Sequence, residues 1–455
     1  MLNKSAIILA AGQGTRMKSD NPKVLCEVLF KPMINWVIDA CNDAGIENIC
    51  AVTGYKSEMV KNSIDTAIEI AIQEKQLGTG HAVTMAKDFL EKNGDGDVIV
   101  LNGDAPFIDV STIQNAYDMH KKQNNAVTVI TARLDNPMGY GRILRNRNGI
   151  ERIVEQKDAS TDELIINEVN SGAYWFNVRY LLDVLFEVDN SNAQGEYYLP
   201  DTIALSLKKG RKVNAYISKN PDVILGANSR KDLLNLNNIA KQRVVDNHME
   251  NGVEFVSLDG VVISKEVKIG KGTIILPGTI LRGNTSIGEG CIIGPNSLVE
   301  NSIIADRTKL NASQCYNSQI ESDVSIGPFC HIRPNSRIMN GVHLGDFVEI
   351  KNSTIGENTH VSHLTYVGDS DVGKRVNFGC GVVTVNYNGK SKARCTIGDD
   401  AFIGCNTNLV APVTVGNKGY TAAGSTITDD VPEETLAIAR ARQVNKEGYN
   451  NKLRG

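Results

Sequence analysis

From about Asn251 onward an aliphatic residue followed by glycine keeps returning: Ile269-Gly270, Ile287-Gly288, Ile293-Gly294, Ile326-Gly327, Leu344-Gly345, Ile355-Gly356, Val372-Gly373, Phe378-Gly379, Ile397-Gly398, Ile403-Gly404 and Val415-Gly416. The spacings 270 to 288, 288 to 294, 373 to 379, 398 to 404 and 404 to 416 are multiples of six. Neither helices nor ordinary sandwiches produce such a repeat. Three hexads close one triangular coil of a parallel β-helix, with the aliphatic side chain inward and glycine or a small polar residue at the corner.

A solenoid needs only its inward positions, so further chemistry is expected where the repeat is interrupted. Two interruptions stand out: Phe329-Cys330-His331-Ile332-Arg333-Pro334, and Thr384-Val385-Asn386-Tyr387-Asn388-Gly389-Lys390-Ser391-Lys392. Between them lie Val348-Glu349-Ile350-Lys351-Asn352 and His360-Val361-Ser362-His363-Leu364-Thr365-Tyr366. In a continuous strand, alternation sends His360 and His363 to different faces, which disfavours a two-histidine metal site. Arg333, Lys351, His363, Tyr366, Asn377 and Lys392 all fall where the repeat asks for no large polar residue.

The first half has a different grammar. The run Ala6 to Ala11 predicts a buried parallel strand that opens into Gly12-Gln13-Gly14-Thr15-Arg16-Met17, where the next helix should start, with Pro22-Lys23 downstream. Leu9, Ala10, Ala11 and Gly12 bring backbone N–H groups close to an anion, and Arg16 and Lys23 add charge suited to a triphosphate. Met17 stands where a dinucleotide fingerprint requires its third glycine, and the P-loop pattern is missing from the sequence. Strand and helix patterns then alternate: a helix over Met33 to Gly45, a strand over Ile46 to Gly54, a strand at Ile68 to Ile72, a helix from Gly80, a strand at Val98 to Leu101 and a helix after Asp109. This predicts an α/β Rossmann-like domain with a parallel sheet and binding residues at the strand ends. Thr79, in Gln76-Leu77-Gly78-Thr79-Gly80-His81, suits a helix N-cap. Val98 to Asp104 carries a carboxylate to the C-terminal end of a strand, where, beside Asn102 and Gly103, it suits a hard cation. The pieces Gly139 to Arg142, Ile153 to Asp158 and Glu168 to Gly172 read singly as loops, and Ala193 to Asp201 as a helix entry with Pro200 near its first turn. Lys231 to Glu250 has an apolar stripe and predicts a helical linker.

The chain of 455 residues is long enough for two or more domains, and a net charge of −4 offers no global field for nucleic acid or anionic membrane. No apolar run approaches the ~18 residues of a membrane span, and the apolar run within Met1 to Ala11 is too short for a signal peptide, so a cytoplasmic location is expected. The nine cysteines are odd in number, scattered and without a C-x-x-C pair, which suggests reduced, mostly buried thiols.

The cradle with its downstream lysine resembles the signature of nucleotide-sugar pyrophosphorylases. The whole chain is similar to the bacterial family of bifunctional N-acetylglucosamine-1-phosphate uridyltransferase/glucosamine-1-phosphate acetyltransferases. That resemblance implies a uridyltransferase domain over 1–229, a helical linker over 230–250, and a left-handed β-helix acetyltransferase over 251–455 with a tail mobile until ligand binds. It implies that Leu9, Ala10, Ala11, Gly12, Lys23, Asn102 and Gly103 hold UTP or product, that Gln73, Gly78 and Thr79 read uracil, and that Gly141, Glu155 and Asn170 hold the sugar. Lys23 and Arg16 would assist transfer, and Asp104 with Asn228 would hold one Mg²⁺. In the second half Arg333 and Lys351 would bind the sugar phosphate, Tyr366 and Asn377 the sugar, and Cys380, Asn386, Tyr387, Cys405, Ala423 and Arg440 acetyl-coenzyme A. His363 would be the general base, a role imidazole suits near neutral pH. Cys380 and Cys405 stand where the family pattern has alanine and serine; a covalent acetyl-cysteine ranks below direct transfer. The family's β-helices form trimers, and its product feeds bacterial cell-wall synthesis. Two rival readings are a single-activity pyrophosphorylase with a scaffolding β-helix, which the Arg333, Lys351, His363, Tyr366 set disfavours, and a non-catalytic sugar-nucleotide sensor, which Lys23 and Asp104 disfavour.

Overall fold

The computed structural model describes residues 4–146, 149–192 and 194–453. Ala193, the first residue of the predicted helix entry, and the last two residues of the tail lie outside them. The chain divides into two compact units, Met1–Ala240 and Lys241–Gly455, the boundary falling inside the helix Arg230–Glu250.

The first unit is built on a sheet whose strands are β1 (Lys4–Ala10), β2 (Asn48–Thr53), β3 (Glu69–Ile72), β4 (Asp97–Asn102), β5 (Val127–Arg133), β6 (Arg142–Asn146), β7 (Gly149–Val154), β8 (Glu168–Asn177) and β9 (Val213–Ile217). The order is β9-β5-β8-β4-β1-β2-β3, with the hairpin β6–β7 attached to β8. Apolar side chains on successive residues go to opposite faces, so Ile8, Ile99 and Trp175 enter one core while Ile7, Val98 and Phe176 enter the other. Both faces are covered, and for that reason the central strands read as unbroken aliphatic runs. Helix α1 (Met33–Asp43) buries Met33, Ile34, Val37, Ile38 and Cys41 at helical spacing. Helix α3 (Val110–Lys122) starts where the Asp109 carboxylate accepts the Thr112 N–H at 2.7 Å, and ends in His120, Lys121 and Lys122, which suit its dipole.

The sheet is mixed where an all-parallel one was expected. β8 runs antiparallel to β4 and β5 because the hairpin β6–β7, and not a crossover helix, connects it to β5. The stretch Glu168 to Gly172, expected as a loop, belongs to β8 and carries a bulge between Asn170 and Ala173. Gly172 inside an otherwise alternating strand was its signal. A second difference lies at the cradle. After β1 the chain makes only two short 3₁₀ turns, Thr15–Met17 and Lys23–Leu25, and the first α-helix waits until Met33, so loop amides and not an α-helix N-terminus face the crevice.

The second unit is a left-handed parallel β-helix of three sheets, with 11, 10 and 9 short strands. Rungs stack in register, for example Ile332 on Ile350 and Ile350 on Val367, and one column of aliphatics fills the interior from Val253 to Val431. Corner residues adopt left-handed backbone angles, met mostly by asparagine, aspartate, glycine and basic residues. The segment Phe329 to Pro334 is not an interruption: His331–Ile332 is a regular rung between Gln314–Tyr316 and Glu349–Lys351, with Cys330 and Ile332 inward. Cysteine is small and apolar enough to serve as an inward residue. The other expected interruption is real. Rung spacing rises from 17 residues between Tyr366 and Val383 to 25 between Ser370 and Cys395, and the excess loops out after Val385.

Candidate functional sites

In the first unit β1 is hydrogen-bonded to β4 on one side and β2 on the other, with Leu9 opposite both Asn102 and Val52. The chain leaves β1 toward β2 and later returns on the opposite side as β4, so a crevice opens at the strands' C-terminal ends. The Gly103 N–H donates to the Leu9 carbonyl at 2.9 Å and extends that pairing one residue into the turn that aims Asp104. Asn228 reaches Asp104 because Gly226 passes over it; a Cβ at Gly226 would lie 3.0 Å from the Asp104 carbonyl oxygen. The Lys23 ammonium pairs with the Asp104 carboxylate and donates to Asn228 Oδ1 at 2.7 Å, and Arg16 approaches that same oxygen at 3.5 Å. A cavity of about 370 Å³ is bounded by Gly12, Arg16, Lys23, Asp104 and Asn228. Leu9, Arg16, Thr79 and Asn102 also line a second cavity, of about 600 Å³, whose far wall includes Glu155, Gln156, Tyr174 and Tyr198.

The carboxylate of Asp104 and the amide oxygen of Asn228 both touch one ammonium, so they converge on a single cation-sized position, the donor set a hard divalent ion accepts when phosphate oxygens and water complete it. Among the described residues no cluster of three or more His, Cys, Asp or Glu side chains could hold a metal by itself.

Of the residues assigned to nucleotide and sugar, Leu9, Gly12, Lys23, Thr79, Asn102, Glu155 and Asn228 line the cavities. Gln73 and Gly78 line neither. The buried Gln73 amide donates to the Gly78 carbonyl at 3.1 Å and pairs with His81 at 2.9 Å, which places it behind the wall as a brace. Gly78 and not Thr79 is the N-cap of α2 (Thr79–Met85), and the Thr79 hydroxyl accepts the Leu199 N–H at 3.0 Å. Ala10, Ala11, Gly103 and Gly141 serve as backbone, the last accepting the Asn170 N–H at 2.9 Å. Asn170 Nδ2 donates to the hydroxyl of Tyr174, a residue of the larger cavity's wall, at 2.6 Å. Glu155 opens to solvent through the cavity mouth but is otherwise walled in; desolvation, then Asp158 and Asp201, push its carboxyl above the ordinary range. Gln156 and Tyr198 fall within Ile153 to Asp158 and Ala193 to Asp201, stretches the sequence had singled out without naming these two residues, whereas Tyr174 had no signal, since an aromatic residue in a strand carries none.

In the β-helix the strand His360–His363 stacks on His343–Asp346, pairing His360 with His343 and His363 with Asp346. Alternation holds as far as Ser362 and ends at the corner, where Leu364 turns left-handed, so His360 and His363 are both exposed. They have different partners: His360 lies beside the His343 ring, and His363 Nδ1 is 2.7 Å from Asp346 Oδ1. Hydrogen bonding to His363 holds the Asp346 carboxyl below its usual value.

His360 pairs with Asn377, Asn377 with Phe402 and Phe402 with Tyr420. The residues three further on, His363, Cys380, Cys405 and Ala423, therefore succeed one another along one corner, and the Arg440 guanidinium donates to the Ala423 carbonyl at 3.0 Å. Asn377 does not join the corner; it sits on the sheet face above His360. A second column places Arg333, Lys351 and Gly368 on successive rungs. Tyr366 folds its hydroxyl into the space that Gly368 leaves, where any Cβ would collide with it. Arg333 pairs with Glu349 at 2.8 Å, and Lys351 lies 3.7 Å from Asp369. Burial raises the cost of charging Asp369, but hydrogen bonds from Asn352 and Asn386 and the charge of Lys351 hold it ionised below its usual range. Lys351 in turn pushes the ammonium of Lys392 down. Asn386, assigned to acetyl-coenzyme A, also reaches the Tyr366 hydroxyl at 3.3 Å, whereas Tyr387 points into the loop and donates to the Gly389 carbonyl at 2.8 Å. Seven of the nine cysteines are buried; Cys380 is half-buried and Cys405 exposed.

Residues 5–223 match the nucleotidyl transferase family, and residues 266–310 and 317–352 match the bacterial transferase hexapeptide family. The bifunctional protein GlmU of Acetivibrio thermocellus is 50% identical over 445 residues, covering 98% of this chain and 96% of that protein. The GlmU of Clostridium perfringens is 50% identical over 449 residues, 98% of each chain, and that of a Geobacillus species is 49% identical over 454 residues, 100% of this chain and 99% of its own.

Proposed function

The chain belongs to the GlmU family of bifunctional enzymes, and on that premise we propose how its two units divide the work. The protein acetylates glucosamine 1-phosphate from acetyl-coenzyme A, then couples N-acetylglucosamine 1-phosphate to UTP with release of pyrophosphate. The observation that carries the division is the separation of the two residue sets. Lys23, Asp104 and Asn228 meet in the first unit, while His363 and the Arg333, Lys351, Tyr366 cluster belong to the second.

In the uridyl site the triphosphate lies over Gly12 and the loop amides, and the sugar phosphate takes the larger cavity toward Glu155. The sugar phosphate attacks the α-phosphorus in line, and Lys23 and Arg16 neutralise charge on the departing pyrophosphate. Asp104 and Asn228 would hold a Mg²⁺ ion, whose positive charge would help offset the negative charge developing on the phosphates. Lys23 must then leave those oxygens for the phosphates, a short movement for a flexible side chain. In the acetyl site Arg333, Lys351 and Lys392 form the cationic floor for the sugar phosphate. His363 removes the proton as the amine attacks the thioester carbonyl, and coenzyme A leaves along the corner toward Ala423 and Arg440.

The exposed Phe329, Phe347 and Leu364 stack on successive corners, the two rings 5.2 Å apart, and favour a homotrimer that buries this ridge between β-helices. No helix among the described residues is long and apolar enough to cross a membrane. The cytoplasm is the location this reading assigns, because small-molecule substrates suit it. The test is to assay coenzyme A release and pyrophosphate release separately in wild type, Asp104→Ala and His363→Ala. Each variant should lose one activity and keep the other; a double loss in either would overturn the division.

A further inference from the structure

Asp346 occupies, one coil below, the same position that His363 occupies on its own rung, and the parallel register is what brings the two side chains together. Its Oδ1 lies 2.7 Å from Nδ1 of the imidazole. Leu364, the residue that turns the corner, donates its N–H to the Asp346 carbonyl at 3.0 Å, and the Thr365 hydroxyl donates to the His363 carbonyl at 2.7 Å. The backbone on both sides of the pair is thereby fixed. The other titratable groups around them are His343 on the lower rung, His360 on the same rung, Cys330 behind Asp346 and Cys380 on the rung above. Among the described residues Asp346 pairs with no lysine or arginine, which leaves its charge to the imidazole.

We propose that Asp346 is a positioning residue for acetyl transfer: it accepts the Nδ1–H of His363, fixes the tautomer whose Nε2 lone pair faces the attacking amine, and stabilises the imidazolium formed as Nε2 takes that proton. The inference rests on His363 being the base. In the step, the amine nitrogen bonds to the thioester carbon, the carbon–sulfur bond breaks, the proton from nitrogen passes to Nε2 and the sulfur departs as thiolate or, reprotonated from Nε2, as thiol. Asp346 takes no proton. It acts through the histidine, as an aspartate does in a hydrolase triad, but on an exposed corner that ligands must cover before the charge is felt at full strength.

The experiment measures steady-state acetyl transfer by the full-length protein carrying Asp346→Ala, Asp346→Asn, His363→Ala and the Asp346→Ala, His363→Ala pair. Asp346→Ala should lower kcat roughly ten- to a hundredfold, below the ~10⁴ of a buried triad, with both KM values within about twofold of wild type. The nearly isosteric Asp346→Asn should lose at least as much, because its amide donates to the ring and sets the wrong tautomer. On the His363→Ala background, Asp346→Ala should change nothing further. Uridyl transfer and melting temperature should stay at wild-type values in every variant. If His363→Ala keeps its kcat, the base assignment falls. If His363→Ala loses activity while Asp346→Ala keeps its kcat or raises KM instead, or if the two changes are additive, only the positioning role is overturned.

Discussion

The two units build their sites by opposite routes. In the first, Gly12, Lys23, Asp104 and Asn228 come from loops and a 3₁₀ turn spread along most of the unit and meet only because β1, β2 and β4 end at one level. In the β-helix, Asp346, His363, Cys380, Cys405 and Ala423 meet because the chain returns to the same corner at every coil. A crevice of the first kind depends on the whole sheet. A corner of the second kind depends on its nearest rungs, since each coil packs only against its neighbours.

The sharpest way to break this contrast is at the crevice floor. Asp104→Ala should cut uridyl transfer about 10³-fold or more, with acetyl transfer within twofold of wild type, when the two products are assayed on one preparation. His363→Ala should do the reverse, lowering acetyl transfer by about 10²- to 10⁴-fold. Cooperativity separates the units next. Asp97 is buried at the start of β4, with Lys121 Nζ at 2.9 Å and His120 Nε2 at 3.4 Å, and Asp97→Ala should destabilise the first unit by about 3–5 kcal/mol in a denaturant titration while the β-helix transition stays in place. Burial opposes ionisation of that carboxyl, yet the His120 ring and Lys121 hold it below its usual value. Its contribution is therefore complete above the unfolded-state value near ~4 and drains away as pH falls further, so acid should melt the sheet unit of the wild type more steeply than that of Asp97→Ala. At the exposed ridge, Phe347→Asp should weaken assembly by about 2 kcal/mol or more, read by sedimentation, and lower acetyl transfer more than uridyl transfer. The smallest effect is expected at the thiols. Burial pushes Cys41 and Cys50 up to about 12 and Cys315, Cys330 and Cys395 to about 11, so a brief alkylation should label Cys405 first, and bound acetyl-coenzyme A should slow it.

Legibility followed the same division. The β-helix could be read from its glycines because inward positions repeat, and Lys351 and Tyr366 stood out against that repeat. Asp346 was within reach as well, seventeen residues before His363 and so one coil below it. It was missed because an aspartate near a corner is what such a fold uses anyway. In the first unit the strand that delivers Asp104 was legible as an aliphatic run ending in a carboxylate. Tyr174 was not, because nothing local marks an aromatic residue in a strand as a cavity wall. The antiparallel course of β8 was hidden for a similar reason: direction depends on what joins two strands, and the hairpin between β5 and β8 was read as loops. Gln73 was singled out through the resemblance alone, and its Nε2 meets the Gly78 carbonyl and the His81 ring, contacts that no local pattern announces.

The loop that leaves the β-helix after Val385 adds chain to a single coil, and the next spacing, from Cys395 to Val413, is back to 18. Its turn is closed mostly from within, by Asn388 Oδ1 accepting the N–H groups of Lys390 and Ser391 and by a bridge between Tyr387 and Lys392. The solenoid thus behaves as a chassis and the loop as a cassette clipped to it. Asn386, Tyr387 and Lys392 travel together on that cassette. Asn386, donating to Asp369 and to the Tyr366 hydroxyl, is the pin that fastens it to the neighbouring coil, so a replacement of equal span between Val385 and Ala393 must keep that asparagine for the rungs on either side to stay in step.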